Sequence, residues 1–100
     1  PVWISLGMYR HPTVNKFPEW EDIVAFGTAV HNMHLMASAF GLAARWTSGG
    51  VVTSPRSTAH VGLDAPSKLF GFMYLGKPSA AEWPTGERRP LAEKVQWHKL

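Results

Sequence analysis

From Ile23 to Phe40 the only helix breaker is Gly27, and no Asp, Glu, Lys or Arg occurs between Asp22 and Arg45. Apolar residues recur at Ile23, Phe26, Val30, Met33, Met36, Ala37 and Phe40. These three- and four-residue steps predict one long helix. Its remaining positions are small or weakly polar: Ala25, Thr28, Ala29, Asn32, Ser38 and Ala39. A helix without a charged face is expected to be buried nearly all round. The chain has 100 residues, one domain at most. A central helix buried on every side needs more protein than a chain of that length holds.

The flanking segments are shorter. Val2 to Tyr9 is β-rich and mostly apolar, which predicts a buried strand. Arg10 to Lys16 carries His, Pro, Thr and Asn and reads as a loop. Pro18 suits a first helical turn, and Glu19, Glu21 and Asp22 follow where acids complement the helix dipole. Gly41 supplies the stop. Leu42 to Trp46 is a connection or a short strand. Ser54-Pro55 opens a second, short helix, with Ser54 as N-cap, that ends near Gly62. Lys68 to Leu75 is the strongest strand pattern, closed by Gly76-Lys77-Pro78. Ser79 to Pro90 is broken by Pro and Gly and reads as an arm; Leu91 to Leu100 suits a short amphipathic helix or an extended tail. We read residues 1–100 as a single, partial domain, with 79–100 an extended C-terminal arm.

Composition narrows the function. The hydrophobic share of 45% and the charged share of 17% are those of a globular chain. Five Trp in so short a chain predict a sticky surface or a cofactor wall. A net charge of +3 is spread from Arg10 to Lys99, so a nucleic-acid module is not expected. Cys is absent, which excludes disulfides, a thiolate nucleophile and Cys-based metal sites. No stretch reaches the ~18 apolar residues of a membrane span, and no signal-peptide pattern opens the chain. The expectation is a soluble protein of the cytoplasm or an organelle matrix. The start at Pro1, without Met and directly in a strand pattern, points to processing, truncation or an upstream half.

Few side chains offer chemistry. His31 and His34 lie three apart on the helix, but zinc needs a third ligand and hydrolysis usually a carboxylate base. We read them as core or interface histidines. Ser48, Ser54 and Ser57 lack a G-x-S-x-G setting. The segment Ala43 to Gly50, AARWTSGG, is more informative. Backbone N–H groups freed by a Gly-rich turn, beside a hydroxyl and an Arg, suit a phosphate or a polar cofactor tail.

Four segments in this order resemble the C-terminal half of the FMN-dependent nitroreductase family, especially its short bacterial branch. The helix with Asn32-Met33 and Met36-Ala37, ending Ala39-Phe40-Gly41-Leu42, resembles the family's central dimer-interface helix. Trp46-Thr47-Ser48-Gly49 resembles its W-[RT]-[ST]-G cofactor loop. Ser54-Pro55, a short helix and Gly62-Leu63 match the next element. Lys68 to Pro78 resembles its I-x-G-F-[LIM]-Y-[LI]-G-x-P strand. The resemblance covers Val2 to Pro78.

It implies an α+β fold, an antiparallel-type sheet flanked by helices, of which this chain holds the C-terminal half. It implies FMN at the interface of a homodimer, or of this chain with a complementary chain. Hydride would pass from NAD(P)H, the co-substrate, to a small-molecule acceptor such as a nitroaromatic or quinone, with the flavin performing the chemistry. The cofactor-binding residues it carries over are Trp46, Thr47, Ser48 and Gly49. From the chemistry alone, Arg45 adds charge near the phosphate. Met36 to Gly41 is the resemblance's candidate for nicotinamide contact. Two departures stand out. The family's N-terminal R-R-S-x-R-type motif has no counterpart here, and Thr47 stands where the short branch often has Arg. They leave open an alternative, a non-catalytic relative serving as a structural or interaction subunit of a larger assembly.

Overall fold

The computed structural model describes residues 1–79, 82–83 and 85–99. The chain alternates strands and helices: β1 Val2–Met8, α1 Glu19–Ala39, β2 Ala43–Thr47, α2 Pro55–His60 and β3 Lys68–Gly76. The three strands form one antiparallel sheet in the order β1-β3-β2. The strongest strand pattern in the sequence is therefore the central strand. The structure is α+β, an antiparallel sheet with helices, as the sequence predicts.

Cross-strand partners share a face of a sheet. Ile4 and Trp46 both lie opposite Met73, and Val2 and Ala44 both lie opposite Leu75. This face meets α1. Leu6, Val30 and Met73 form the buried centre, with Ile4, Phe26, Met33, Ala44 and Leu75 packed around it. The helix thus contributes Phe26, Val30, Met33 and Ala37, spaced by three and four residues as one inward stripe.

The outward side of α1 departs from the expectation. Only Val30 and Ala37 are buried in the whole helix. Val24, Leu35 and Met36 are exposed at 61%, 57% and 59%, and Phe40, just past the helix end, at 75%. A three-stranded sheet covers one stripe of a helix, so the uncharged outer stripe stays bare within this chain.

Local signals place the ends of both helices. After α1, Gly41 takes φ +68°. The N–H of Leu42 bonds Ala37 O and that of Gly41 bonds Ser38 O, both at 2.9 Å, a Schellman closure. After α2, Gly62 at φ +78° repeats it, with Leu63 N–H to Thr58 O at 3.1 Å and Gly62 N–H to Ala59 O at 3.0 Å. Ser54 caps α2 as predicted, its Oγ accepting from Ser57 N–H at 3.2 Å, with Pro55 at the first position. Pro18 is the N-cap of α1 rather than part of its first turn; its ψ of 153° is extended.

Two polar ties fasten the start of α1 to the sheet. Arg10 pairs with Asp22 and donates to Phe17 O at 3.1 Å. Its backbone N–H bonds the buried Ser67 Oγ at 3.0 Å. Lys68 pairs with Glu19 at 2.6 Å. Beyond Pro78 the described residues form a single 3-10 turn, Leu91–Glu93, and are almost all exposed. Residues 80, 81, 84 and 100 of the expected arm lie outside the described residues.

Candidate functional site

A cleft lies where β2 ends and β3 begins, beside α2 and the turn that follows it. Its volume is about 780 Å³, within the range of small-molecule sites. Trp46 lines it from β2 and Ser48 from just beyond; Pro55, Thr58 and Ala59 line it from α2, and Lys68, Leu69 and Phe70 from β3. The 55, 58, 59 spacing is one face of a helix.

The position of Trp46 follows from an irregularity in β3. Ser5 pairs with Phe72, but Gly7 pairs with Leu69, so β3 carries one extra residue there. Gly71 absorbs the bulge with φ +129°. A Cβ at that position would collide with the Thr47 carbonyl oxygen and lie 2.8 Å from Trp46 Nε1. The bare glycine lets β2 come close, and the Trp46 indole donates to Phe70 O at 2.8 Å. Phe26 of α1 stacks beside both aromatics, 4.8 Å from Phe70 and 6.2 Å from Trp46, centroid to centroid.

The other predicted residues separate. Ser48 is exposed and lines the cleft. Thr47 is half-buried, pairs with Phe72 and is not a lining residue. Gly49 is exposed and lies outside the lining; its carbonyl accepts the N–H of Val52 at 2.9 Å and of Thr53 at 3.2 Å. A Cβ at Gly49 or Gly50 would meet open space. Arg45 neighbours Trp46 in a strand, so it projects from the opposite face. It lines a separate, shallower depression with Tyr74 and Lys77. Met36 to Gly41 contributes nothing to the cleft lining.

Sequence reading missed Thr53, Thr58, Lys68 and Phe70. Thr58 was legible in principle, because it shares a face of the capped helix with Pro55. Phe70 was not, because its carbonyl reaches Trp46 only through the bulge. The cleft holds one formal cation, Lys68, and one carboxylate, Asp64. The Lys68 ammonium, hydrogen-bonded to Glu19, holds that carboxyl below the usual range. His31 is exposed and His34 half-buried on α1. No cluster of three metal-ligating side chains gathers among the described residues. No helix among them is long and apolar enough to cross a membrane.

The cleft is lined by two aromatic side chains, Trp46 and Phe70, and by the hydroxyl-bearing Ser48, Thr53 and Thr58. Such a lining suits binding a ring system.

Comparison with known proteins matches no family model. The chain is 38% identical over 64 residues to the protein named "Putative NAD(P)H nitroreductase YdjA" in Escherichia coli K12, and equally to its namesake in E. coli O157:H7. The alignment spans 64% of this chain and 35% of those relatives, so the chain answers to about a third of their length. A solved structure of a nitroreductase-like family protein from Bacillus cereus superposes with a TM-score of 0.75 at 26% identity. It covers 94% of this chain and 49% of that one. Sequence and fold together support assignment to the nitroreductase family.

Proposed function

We propose that this chain, assigned to the nitroreductase family, is the C-terminal half of an FMN-dependent oxidoreductase that takes reducing equivalents from NAD(P)H. The observation that carries the reading is the cleft lined by Trp46 and Ser48. It lies on the one segment whose W-x-S-G pattern resembles a flavin loop.

The lining fits such a cofactor chemically. Trp46, Leu63 and Phe70 offer apolar surface to a flat ring, and Ser48, Thr53 and Thr58 bring hydroxyls to the same space. Beside it, the N–H groups of Gly49 and Gly50 have no acceptor among the described residues. Backbone donors of that kind favour an anionic or polar tail. Trp46, Thr47, Ser48 and Gly49 would hold one side of the cofactor. When bound, the flavin supplies hydride transfer to an acceptor such as a nitroaromatic or a quinone.

The chain's own residues bind and orient. The Trp46–Phe70 hydrogen bond fixes the indole, and Phe26 backs it. The Gly71 bulge seats Thr47 against β3. We read the bare outer stripe of α1 as the surface for a second copy, which would complete the site in a homodimer. The acceptor is a small molecule reached from the open side of the cleft.

The protein purified in its natural flanking sequence tests this. It is expected to carry visible flavin absorption, to bleach with NADH or NADPH, and to recover with a quinone or nitroaromatic. A colourless protein that takes up no added FMN overturns the reading.

A further inference from the structure

Between β1 and α1 the chain is folded around one imidazole. His11 Nδ1 accepts the backbone N–H of Val14 at 3.0 Å and of Thr13 at 3.2 Å, with the Thr13 hydroxyl at 3.4 Å. The His11 carbonyl accepts the Asn15 side-chain amide at 2.7 Å. Among the described residues, residues 11–16 make no other hydrogen bonds. All of them are exposed, so no buried side chain holds this stretch in place.

A backbone N–H can only donate. Two of them aimed at Nδ1 require that nitrogen to be bare, and the neutral ring then carries its proton on Nε2. A charged ring donates at both nitrogens, which sets a third N–H against the two from the backbone. Pro12 has no N–H to offer, so the turn closes through the two residues after it. The neighbouring charges give a charged ring no compensation. Arg10 is engaged with Asp22 and Glu19 with Lys68, and the Lys16 ammonium lies 5.4 Å from the centre of the Phe17 ring. Neither Glu21 nor any other carboxylate pairs with His11 among the described residues.

The chain is clamped on both sides of this turn. The Arg10 guanidinium donates to the Phe17 carbonyl at 3.1 Å, and the Arg10 N–H bonds the buried Ser67 Oγ at 3.0 Å. We infer that the β1–α1 loop is a proton-operated turn. It is closed on neutral His11 and released between Arg10 and Phe17 when Nδ1 takes a proton, with the sheet and α1 left in place. The device does not depend on the flavin reading.

The test is NMR on the protein in its natural flanking sequence, between about pH 8 and pH 5, the range in which imidazole changes charge. At the high end, long-range proton–nitrogen spectra of the His11 ring are expected to show Nδ1 bare and Nε2 protonated. As pH falls, the Thr13 and Val14 amides are expected to shift with the same midpoint as the His11 ring, and their heteronuclear NOE to drop. The Ser67 and Asp22 amides should keep theirs. Two variants isolate the ring. His11→Asn offers a permanent acceptor for the same turn, so its loop should stay ordered across the range. His11→Phe has no acceptor, so its loop should be loose throughout. A neutral ring protonated on Nδ1 overturns the inference, as does a parent loop equally ordered at both ends of the range. So does the same NOE drop in His11→Asn, an ordered loop in His11→Phe, or loosening that spreads to Ser67 and Asp22.

Discussion

Replacing Gly71 by Ala tests the local geometry on which the cleft depends. The residue sits at φ +129°, and the new Cβ would press on the Thr47 carbonyl and lie 2.8 Å from Trp46 Nε1. Three costs add. An L-residue in that backbone region costs about 1–3 kcal/mol. Forcing β2 and the indole aside costs about 1–3 kcal/mol as overpacking. Losing the Trp46–Phe70 hydrogen bond costs about 0.5–1.5 kcal/mol. The expected loss is about 2.5–7.5 kcal/mol, a large part of the roughly 5–15 kcal/mol that holds a domain together. Urea unfolding, followed by tryptophan fluorescence, reads it as a fall in midpoint. Gly27→Ala is the control: its Cβ meets nothing within 4 Å in mid-helix, so it should gain about 1 kcal/mol. If Gly71→Ala unfolds within about 0.5 kcal/mol of the parent, the size of an ordinary surface change, the bulge does not position Trp46 and the account of the cleft fails.

Further expectations follow from the ties around the sheet. Ser54→Ala removes the α2 cap and should cost about 1 kcal/mol, with Ser54→Gly costing only a few tenths, both read by urea midpoints. Arg10→Ala strands Asp22 and the Phe17 carbonyl, with the Arg10 side chain only 12% exposed, and should cost about 1–3 kcal/mol. Arg10→Lys should recover only part of it, since an ammonium lacks the guanidinium fork. For Glu19, folding lowers the carboxyl from its ordinary value of 4.5, chiefly through the Lys68 hydrogen bond. Its contribution is therefore complete above that value and lost as pH falls through the lower folded one. The pair is exposed, so the effect should be small and fade with salt. An NMR titration of the Glu19 carboxyl in the parent and in Lys68→Met checks the direction.

Much of the fold was legible because its signals are local. Gly41 and Gly62 stop their helices through backbone conformations that glycine adopts freely, and Ser54-Pro55 starts one through a cap. The apolar run Lys68 to Leu75 became the central strand because a strand with two neighbours must be buried along its length. What sequence alone could not show is non-local. The lack of charge on α1 predicts burial all round, whereas the three-stranded sheet covers only one of its stripes. That Arg45 and Trp46 face opposite ways follows from β2 being a strand, whereas the chemistry of the segment alone groups them. Thr47 and Gly49 belong to the loop by pattern, but only Trp46 and Ser48 line the cleft. The hydrogen bond that fixes Trp46 comes from a residue 24 positions away.

The central claim is that the segment from Trp46 to Gly49 meets a flavin. Amide NMR shifts of the protein titrated with FMN test it most directly. The account predicts the largest changes at Thr47, Ser48, Gly49 and Gly50, with smaller ones at the cleft residues Thr58 and Phe70. Shifts confined elsewhere, or none at saturating FMN, would contradict it.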